Sequence, residues 1–400
     1  MLIAFMTDMM PKNSPDIDLS KFQDVLDIDA NIHRIVKNLE LLAYINPLNI
    51  SQERKEFFKS KYIHEPQFKY RKLKFKPYKL HRMFFSQRLE RIEDDDIRSL
   101  YKDIIYTYSG LVQCIETIRE PSSKFYFNSL RFFGTPTEKM VENAKFILHF
   151  KDEPLTEIKH QAVLSTEEAE AFFIKYRELY DFDFDIKTSS AMSAAAMVSN
   201  KDKSLILKKG HLYSQHELNV LAHHEIGVHL VTTFNAIEQP LKIFSNGFPN
   251  NVETQEGLAV MSEYMSGNLT LSRLKELAYR VIATDSLIKG YSFADTFDLI
   301  HGQYKLDRDR AFNITLRTHR GGGFTKDALY LSGLKKVYDL HKSNTSFDNM
   351  ILGKCSLEYN NIIEKMKELR LVSPATHHAK SFDAQLNNNP TIDFILGHLK

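Results

Sequence analysis

His224 and His229 stand five residues apart, with Glu225 directly after the first of them, in the stretch Leu221-Ala-His-His-Glu-Ile-Gly-Val-His-Leu-Val-Thr232. Downstream, Thr254-Gln-Glu-Gly-Leu-Ala259 opens another helical segment and offers a carboxylate at Glu256. A catalytic zinc ion takes three protein ligands and leaves its fourth position for water. His224, His229 and Glu256 supply such a His-His-Glu set for one Zn2+ per chain, and the donor types favour zinc over other divalent metals. Glu225 is then placed to act as general base, taking a proton from the attacking water and returning it to a leaving amine. His223 can replace His224 only by widening the spacing to six.

That spacing constrains the element that carries it. Zinc helices with two histidines four residues apart keep both on one face at 3.6 residues per turn. A separation of five turns the second imidazole away unless the helix takes in an extra residue through a π-type bulge, which Gly227 eases by lacking a Cβ. In a chain with 16 histidines such a stretch can arise by chance. Against chance, the helix is otherwise apolar, and charged or imidazole groups are costly to bury unpaired.

A peptidase that acts at chain ends must also neutralise a free carboxylate, a task suited to the planar fork of arginine. Arg317, Arg320 and Lys326 surround Gly321-Gly-Gly323, a stretch that lets backbone approach a ligand closely, and Tyr330 follows as a donor for a developing oxyanion. The alternative reading of the same residues is a solvated helix end punctuated by glycine, and substrate contact by at least one of them is favoured. Glu263, seven residues after Glu256, is either an acceptor for a ligand histidine or an ordinary surface carboxylate. His211, His216, His301 and the pair His377-His378 read as structural or solvent-facing.

These groups need elements to position them. Ser214 caps a long helix with Leu218, Leu221, Ile226, Leu230 and Val231 as its buried residues. Ahead of it, Met192–Val198 and Ser204–Lys208 read as a hairpin about the polar turn 199–203, and an edge strand there can pair with an extended substrate. Further helices are expected over Thr254–Ser266, Leu271–Ile288, Phe293–Gln303, Asp307–Thr318, Thr325–His341 and Leu357–Leu369. The first part of the chain is helical too. Capping residues at 16–20 precede a period through Leu26, Ile32, Ile35, Leu39 and Leu42; Asp94-Asp95-Asp96 starts a second helix and Thr137-Glu138 a third. The expected organisation is a flexible start at 1–16, an N-terminal helical lobe at 17–155 and a catalytic region at 156–400.

Composition narrows the function classes. A formal net charge of +2 gives no global drive towards nucleic acid, and Cys114 and Cys355 are too few for a disulfide scaffold, so a cytoplasmic, soluble protein is expected. No stretch has the length of uncharged residues that spans a bilayer, so no membrane partner is expected. The segment 68–82 interleaves lysines and arginines with aromatics. It reads as a nucleic-acid or acidic-tail contact, or as an extended strip that buries its aromatics and solvates its lysines; near-neutral net charge favours the second and makes nucleic acid an unlikely partner.

His224-Glu-Ile-Gly-Val-His229, Asn235, Gln239-Pro-Leu241 and Thr254-Gln-Glu-Gly-Leu-Ala259 together resemble the bacterial QEGLA-motif proteins, termed flavohemoglobin expression-modulating, and the eukaryotic microtubule-associated tyrosine carboxypeptidases. Arg280-Val-Ile-Ala283, Arg317-Thr-His-Arg-Gly321, Phe324-Thr-Lys-Asp327 and Tyr330-Leu-Ser-Gly333 extend the resemblance over most of 200–335. It implies a zinc metallopeptidase with His224, His229 and Glu256 on the metal and Glu225 catalytic. In the eukaryotic relatives the activity is removal of a C-terminal tyrosine from tubulin. Ala236 departs from an expected glycine and His319 from an expected aromatic.

The combined expectation is an α+β, mostly helical zinc metallopeptidase with a small sheet. Carboxypeptidase action on a peptide or protein C-terminus is the first choice among peptidase modes. The alternative is a metal-containing regulatory protein that affects expression of another protein without peptidase turnover.

Overall fold

The computed structural model describes residues 19–37, 39, 41–118, 124–151, 158–190, 192, 194–383 and 389–400. The start expected to be flexible, 1–16, and the boundary expected at 155 lie outside them. The fold is α+β and mostly helical with one small sheet.

Helix α1 (Gln23–Val36) buries Val25, Ile28, Ile32 and Ile35, the i, i+3, i+4 spacing of a one-sided helix. Phe22 precedes it without a side-chain cap, so the polar residues expected to start this helix do not do so. Helix α2 (Asp95–Thr117) begins where Asp94 accepts from the amides of Asp96 and Ile97. Helix α3 (Glu138–His149) begins where Thr137 accepts from Met140. Val25, Leu100, Ile104 and Ile147 of these helices join one apolar cluster with Leu258, Val260, Ile282 and Leu334 from the second half.

A buried carboxylate ties α1 to the second half. Asp29, 2% exposed, accepts from Tyr101 Oη at 3.0 Å, from the Ile243 amide at 3.0 Å and from the Lys242 amide. Burial pushes its pKa up to about 6 against the pull of these donors.

The sheet has three strands, one more than the expected hairpin. Strands β1 (Asp185–Ser189), β2 (Ala196–Ser199) and β3 (Ser204–Lys208) lie in the order β1-β3-β2, with β1 parallel and β2 antiparallel to β3. The alternation Phe182, Phe184, Ile186 is the signal for β1, and β2 starts at Ala196 rather than Met192. Leu205 and Leu207 of β3 pack with Ala222, Ile226 and Leu230 of the next helix.

That helix runs from 215 to 238 in three parts: α4 (Gln215–Leu221), a π-helical segment Ala222–Leu230, and α5 (Val231–Glu238). Ser214 caps it, accepting from the Glu217 amide at 3.0 Å. The expected single bulge is thus a full nine-residue π segment. Gly227 is not its steric cause, since a Cβ there would meet Tyr180 Oη at an ordinary 3.5 Å.

Helices α6 (Asn251–Met265), α7 (Leu271–Ile288), α8 (Arg308–His319) and α9 (Leu329–Lys342) complete the site region. Asp307 caps α8, and a 3-10 turn, Thr325–Ala328, leads into α9. Helices α6 and α9 cross backbone to backbone at two glycines. A Cβ on Gly257 would stand 2.8 Å from Gly333 Cα, and one on Gly333 would overlap the Glu253 carbonyl.

The basic-aromatic strip is extended to residue 76 and then helical over Pro77–Phe85. Phe68, Tyr70, Leu73 and Phe75 are half-buried, while Lys69, Arg71, Lys72, Lys74 and Lys76 are exposed. Among the described residues no helix is long and apolar enough to cross a membrane.

Two outcomes are expected. Gly333→Ala must part α6 from α9 and should lower stability by about 3 kcal/mol, read by denaturant unfolding, since overpacking of a close contact has costs of that order. Because the folded chain binds the Asp29 proton more tightly than an unfolded Asp of pKa about 3.9, the protonated form adds stability that is full below that pH and is lost as pH rises through about 6. Asp29→Asn should flatten the pH 4–6 segment of the stability profile, a change of about 3 kcal/mol across that window.

Candidate active site

The π segment and α6 bring three expected donors together. His224 Nε2 and His229 Nε2 each lie 3.8 Å from Glu256 Oε2, and one ligand atom from each residue falls within 4.8 Å of the others. In a helix with i→i+5 hydrogen bonds, five residues make about one turn, so His224 and His229 share a face. Their ring centroids are 5.0 Å apart. No other such group of three occurs among the described residues.

His223 points elsewhere, with Nδ1 3.5 Å from Tyr176 Oη. The wide turns of the π segment leave carbonyls to satisfy, and side chains do so: Ser262 Oγ donates to His223 O at 2.8 Å and Thr233 Oγ1 to His229 O at 2.7 Å.

The groups behind the donors hold them in one state. His224 Nδ1 donates to Glu263 Oε1 at 2.8 Å, which leaves Nε2 as the nitrogen facing Glu256. Glu263 is fully buried, not a surface carboxylate, and Arg273 grips it with two bonds of 3.1 Å. Glu256 Oε1 accepts from Lys326 Nζ at 3.0 Å while Oε2 faces the imidazoles. Burial alone would raise Glu256, but Lys326, His229 and His224 outweigh it and bring its pKa down to about 2. Burial lowers His229 to about 4, with His224 and Lys326 adding to the effect, so its imidazole is neutral. An ionised carboxylate and an imidazole lone pair are the forms that bind a divalent cation. The donor set therefore fits one.

Glu225, 9% exposed, receives the backbone amide of Val198 on β2. Burial pushes its pKa up to about 7; the Glu256 charge adds to this and His224 opposes it. Val198 thus ties the edge strand to the candidate base. Ala196, on the same strand, is 3% exposed and packs in the cluster with Leu207 and Ala222.

The cations named from the sequence have partners. Arg317 makes a two-point pair with the fully buried Asp327, through Nε and through Nη2 at 2.9 Å. Lys326 is held by Glu256, and Arg320 Nη1 donates to Asn46 Oδ1 at 2.6 Å. Tyr330 is 8% exposed, with Arg280 Cζ 4.9 Å and Lys326 Nζ 5.5 Å from its ring centroid. Gly321 and Gly323 of the glycine loop approach aromatic rings, while Gly322 faces open space. A Cβ on Gly321 would stand 2.6 Å from Phe125, and the Gly321 amide donates to Tyr70 Oη at 2.6 Å.

Sequence reasoning gave no role to Arg273, Glu276, Arg280 or Asp327. Arg273, Glu276 and Arg280 lie on one face of α7 at i, i+3 and i+7, and Arg280 donates to Glu276. That spacing of alternating charge was the available signal. Both family departures fit. Ala236 is buried, and His319 places its ring 5.6 Å from Phe293 while bonding Thr296 at 2.8 Å. His377 bonds Asp181, His211 faces Glu217 and the ring of His216 lies 4.6 Å from that of His160 at a tilt of 52°, all outside the donor group.

Residues 55–400 match a family model described as microtubule-associated tyrosine carboxypeptidase. A protein of Mus musculus named "Putative tyrosine carboxypeptidase MATCAP2" is 23% identical over 346 residues, which cover 83% of this chain and 57% of that protein. The chain thus spans a little over half of that relative's length.

Glu263→Gln removes the anion that orients His224 and neutralises Arg273. Zinc affinity should fall about 10- to 100-fold in chelator competition. The melting temperature should fall with it, as Arg273 loses its two-point partner and keeps only the 3.4 Å contact with Glu276. Unchanged zinc affinity would remove His224 from the donor set.

Proposed function

The chain belongs to the microtubule-associated tyrosine carboxypeptidase family, and from that membership we propose that it is a zinc-dependent carboxypeptidase that removes residues from the C-terminus of a peptide or protein. The observation that carries this reading is the convergence of His224, His229 and Glu256 within 4.8 Å beside the buried carboxylate of Glu225. A structural zinc would need neither a base nor an open position.

His224, His229 and Glu256 would hold the metal. When bound, zinc supplies Lewis-acid chemistry, polarising a carbonyl and lowering the pKa of water. The remaining steps belong to the chain's own side chains. Glu225 takes a proton from the attacking water as its oxygen bonds to the scissile carbon, and returns that proton to the amine nitrogen when the C–N bond breaks. The Val198 amide keeps the carboxylate in place for both transfers.

Tyr330 has its pKa raised, by burial first and by Glu256, so its hydroxyl stays protonated and donates to the developing oxyanion. Near-complete burial of this donor keeps competing water away. The cationic wall formed by Arg317, Arg320 and Lys326 suits a substrate that ends in a free carboxylate.

Glu225→Gln in the zinc-loaded protein tests the chemistry. Turnover of free-carboxylate peptides, followed by mass spectrometry of the products, should fall by at least about 10³-fold, with zinc content unchanged. Retained turnover would remove Glu225 as base, and cuts confined to internal bonds would replace exopeptidase by endopeptidase action.

A further inference from the structure

Five cations interact with Tyr330: Arg280 and Lys326 lie over its ring, and Arg273, Arg317 and Arg320 are near enough to be affected by its charge. Four carboxylates pair with them. Glu263 takes Arg273, Glu276 takes Arg280 and the edge of Arg273, Asp327 takes Arg317, and Glu256 takes Lys326. Glu225 makes no ion pair with any of the five among the described contacts, being bonded to the Val198 amide.

Arg320 is left over. Its hydrogen-bond partner is the neutral Asn46, its guanidinium lies 4.8 Å over the Phe324 ring, and its Nε has no partner although the residue is only 5% exposed. Arg280 repeats this on a smaller scale. At 7% exposure its Nε is also unpartnered, and its guanidinium sits against the ring of Tyr330. Arg317 pairs with Asp327, and the charges of Arg280 and Arg320 add to its effect in holding that carboxyl below the usual carboxylate range.

A buried guanidinium without a counter-charge is costly. A divalent cation at His224, His229 and Glu256 would add more positive charge to the same region. Among the described residues the five cations already outnumber their paired carboxylates by one before any metal is added, and planar two-point donors suit a carboxylate.

We propose that Arg320, with the unpartnered edge of Arg280, is the receptor for the free α-carboxylate of the substrate, while Arg317 and Lys326 are positioning residues held by Asp327 and Glu256. This rests on the peptidase reading and divides the roles of the cationic wall within it. Arg317 presents its fork to Asp327, and Lys326 orients Glu256 towards the imidazoles. Among the described residues Arg320 alone of the five makes no ion pair with a carboxylate.

The test is binding, measured by calorimetry, of N-acetyl-alanyl-tyrosine and of its C-terminal amide to zinc-loaded Glu225→Gln protein, which binds without turnover. The free acid should bind at least about tenfold more tightly than the amide. Arg320→Gln should abolish that preference and Arg280→Gln should reduce it. Asn46→Asp keeps both arginines but gives Arg320 an internal partner. It should raise the melting temperature and remove the preference, so it decides the matter even if Arg320→Gln fails to fold. A preference that survives Asn46→Asp and Arg320→Gln, one absent from the parent protein, or equal loss of both peptides would each overturn the proposal. Absence of cleavage by the Glu225-containing protein, with an Arg320-dependent preference intact, would instead sink the peptidase reading and leave the carboxylate receptor standing.

Discussion

The contact between Gly257 and Gly333 sets the distance on which the site depends. Gly257 follows Glu256 directly on α6, and Gly333 lies one turn beyond Tyr330 on α9, so two backbones in contact bring a candidate ligand and its polar partners together. A side chain at either glycine has no room. Separation of the helices would break the 3.0 Å bond from Lys326 to Glu256 and leave two buried charges apart. Helix α6 carries more of the site further along, where Glu263 holds His224 and Ser262 holds the His223 carbonyl. Its placement therefore governs a donor, the orientation of a second donor and the backbone of the π segment at once.

Around that crossing the buried charges form connected chains: His224, Glu263, Arg273, Glu276 and Arg280 in one, Glu256 with Lys326 in another, Arg317 with Asp327 in a third. Removed from water, each pair is stronger than at a surface and each unmatched member more costly, so the side chains have few alternative positions. The two imidazoles are held differently. His224 has a carboxylate partner on Nδ1 that raises its pKa against burial, whereas His229 has no ring hydrogen bond among the described contacts and burial lowers it. Backbone geometry in the π segment is what aims the second ring.

Local pattern made much of this legible. Five-residue spacing between two histidines called for a π-type path, Ser214 and Asp94 marked helix starts, and the bounds of α7 are Leu271–Ile288 as the apolar period implies. What local pattern cannot carry is the choice of tertiary partner. Lys326 reads as a candidate for substrate until Glu256, 70 positions away, is seen to hold it, and Arg317 until Asp327 closes on it. The glycines of 321–323 suggest room for a ligand, yet Phe125 and Tyr126 fill the space at Gly321 and Gly323 and leave only Gly322 open. Strand β1 escaped notice because it is a half-exposed edge with charged residues, although Phe182, Phe184 and Ile186 alternate as a strand requires.

The π segment shows how a distorted helix is kept in place. Widening the turn by one residue sets the two histidines on one face but disturbs the regular backbone pairing that stabilises an α-helix. Side-chain hydroxyls of Ser262 and Thr233 take up carbonyls of His223 and His229, near the two ends of the π segment. The opposite face is fastened by Ala222, Ile226 and Leu230 against Leu205 and Leu207 of the sheet. Between these two attachments Glu225 turns towards β2 and accepts from Val198. The small sheet thus serves the site in two ways, as the apolar floor that holds the distorted helix and as the edge that orients its carboxylate. A register slip in β2 by one residue would reverse which groups face the helix and would release Glu225 while leaving all three candidate ligands in place.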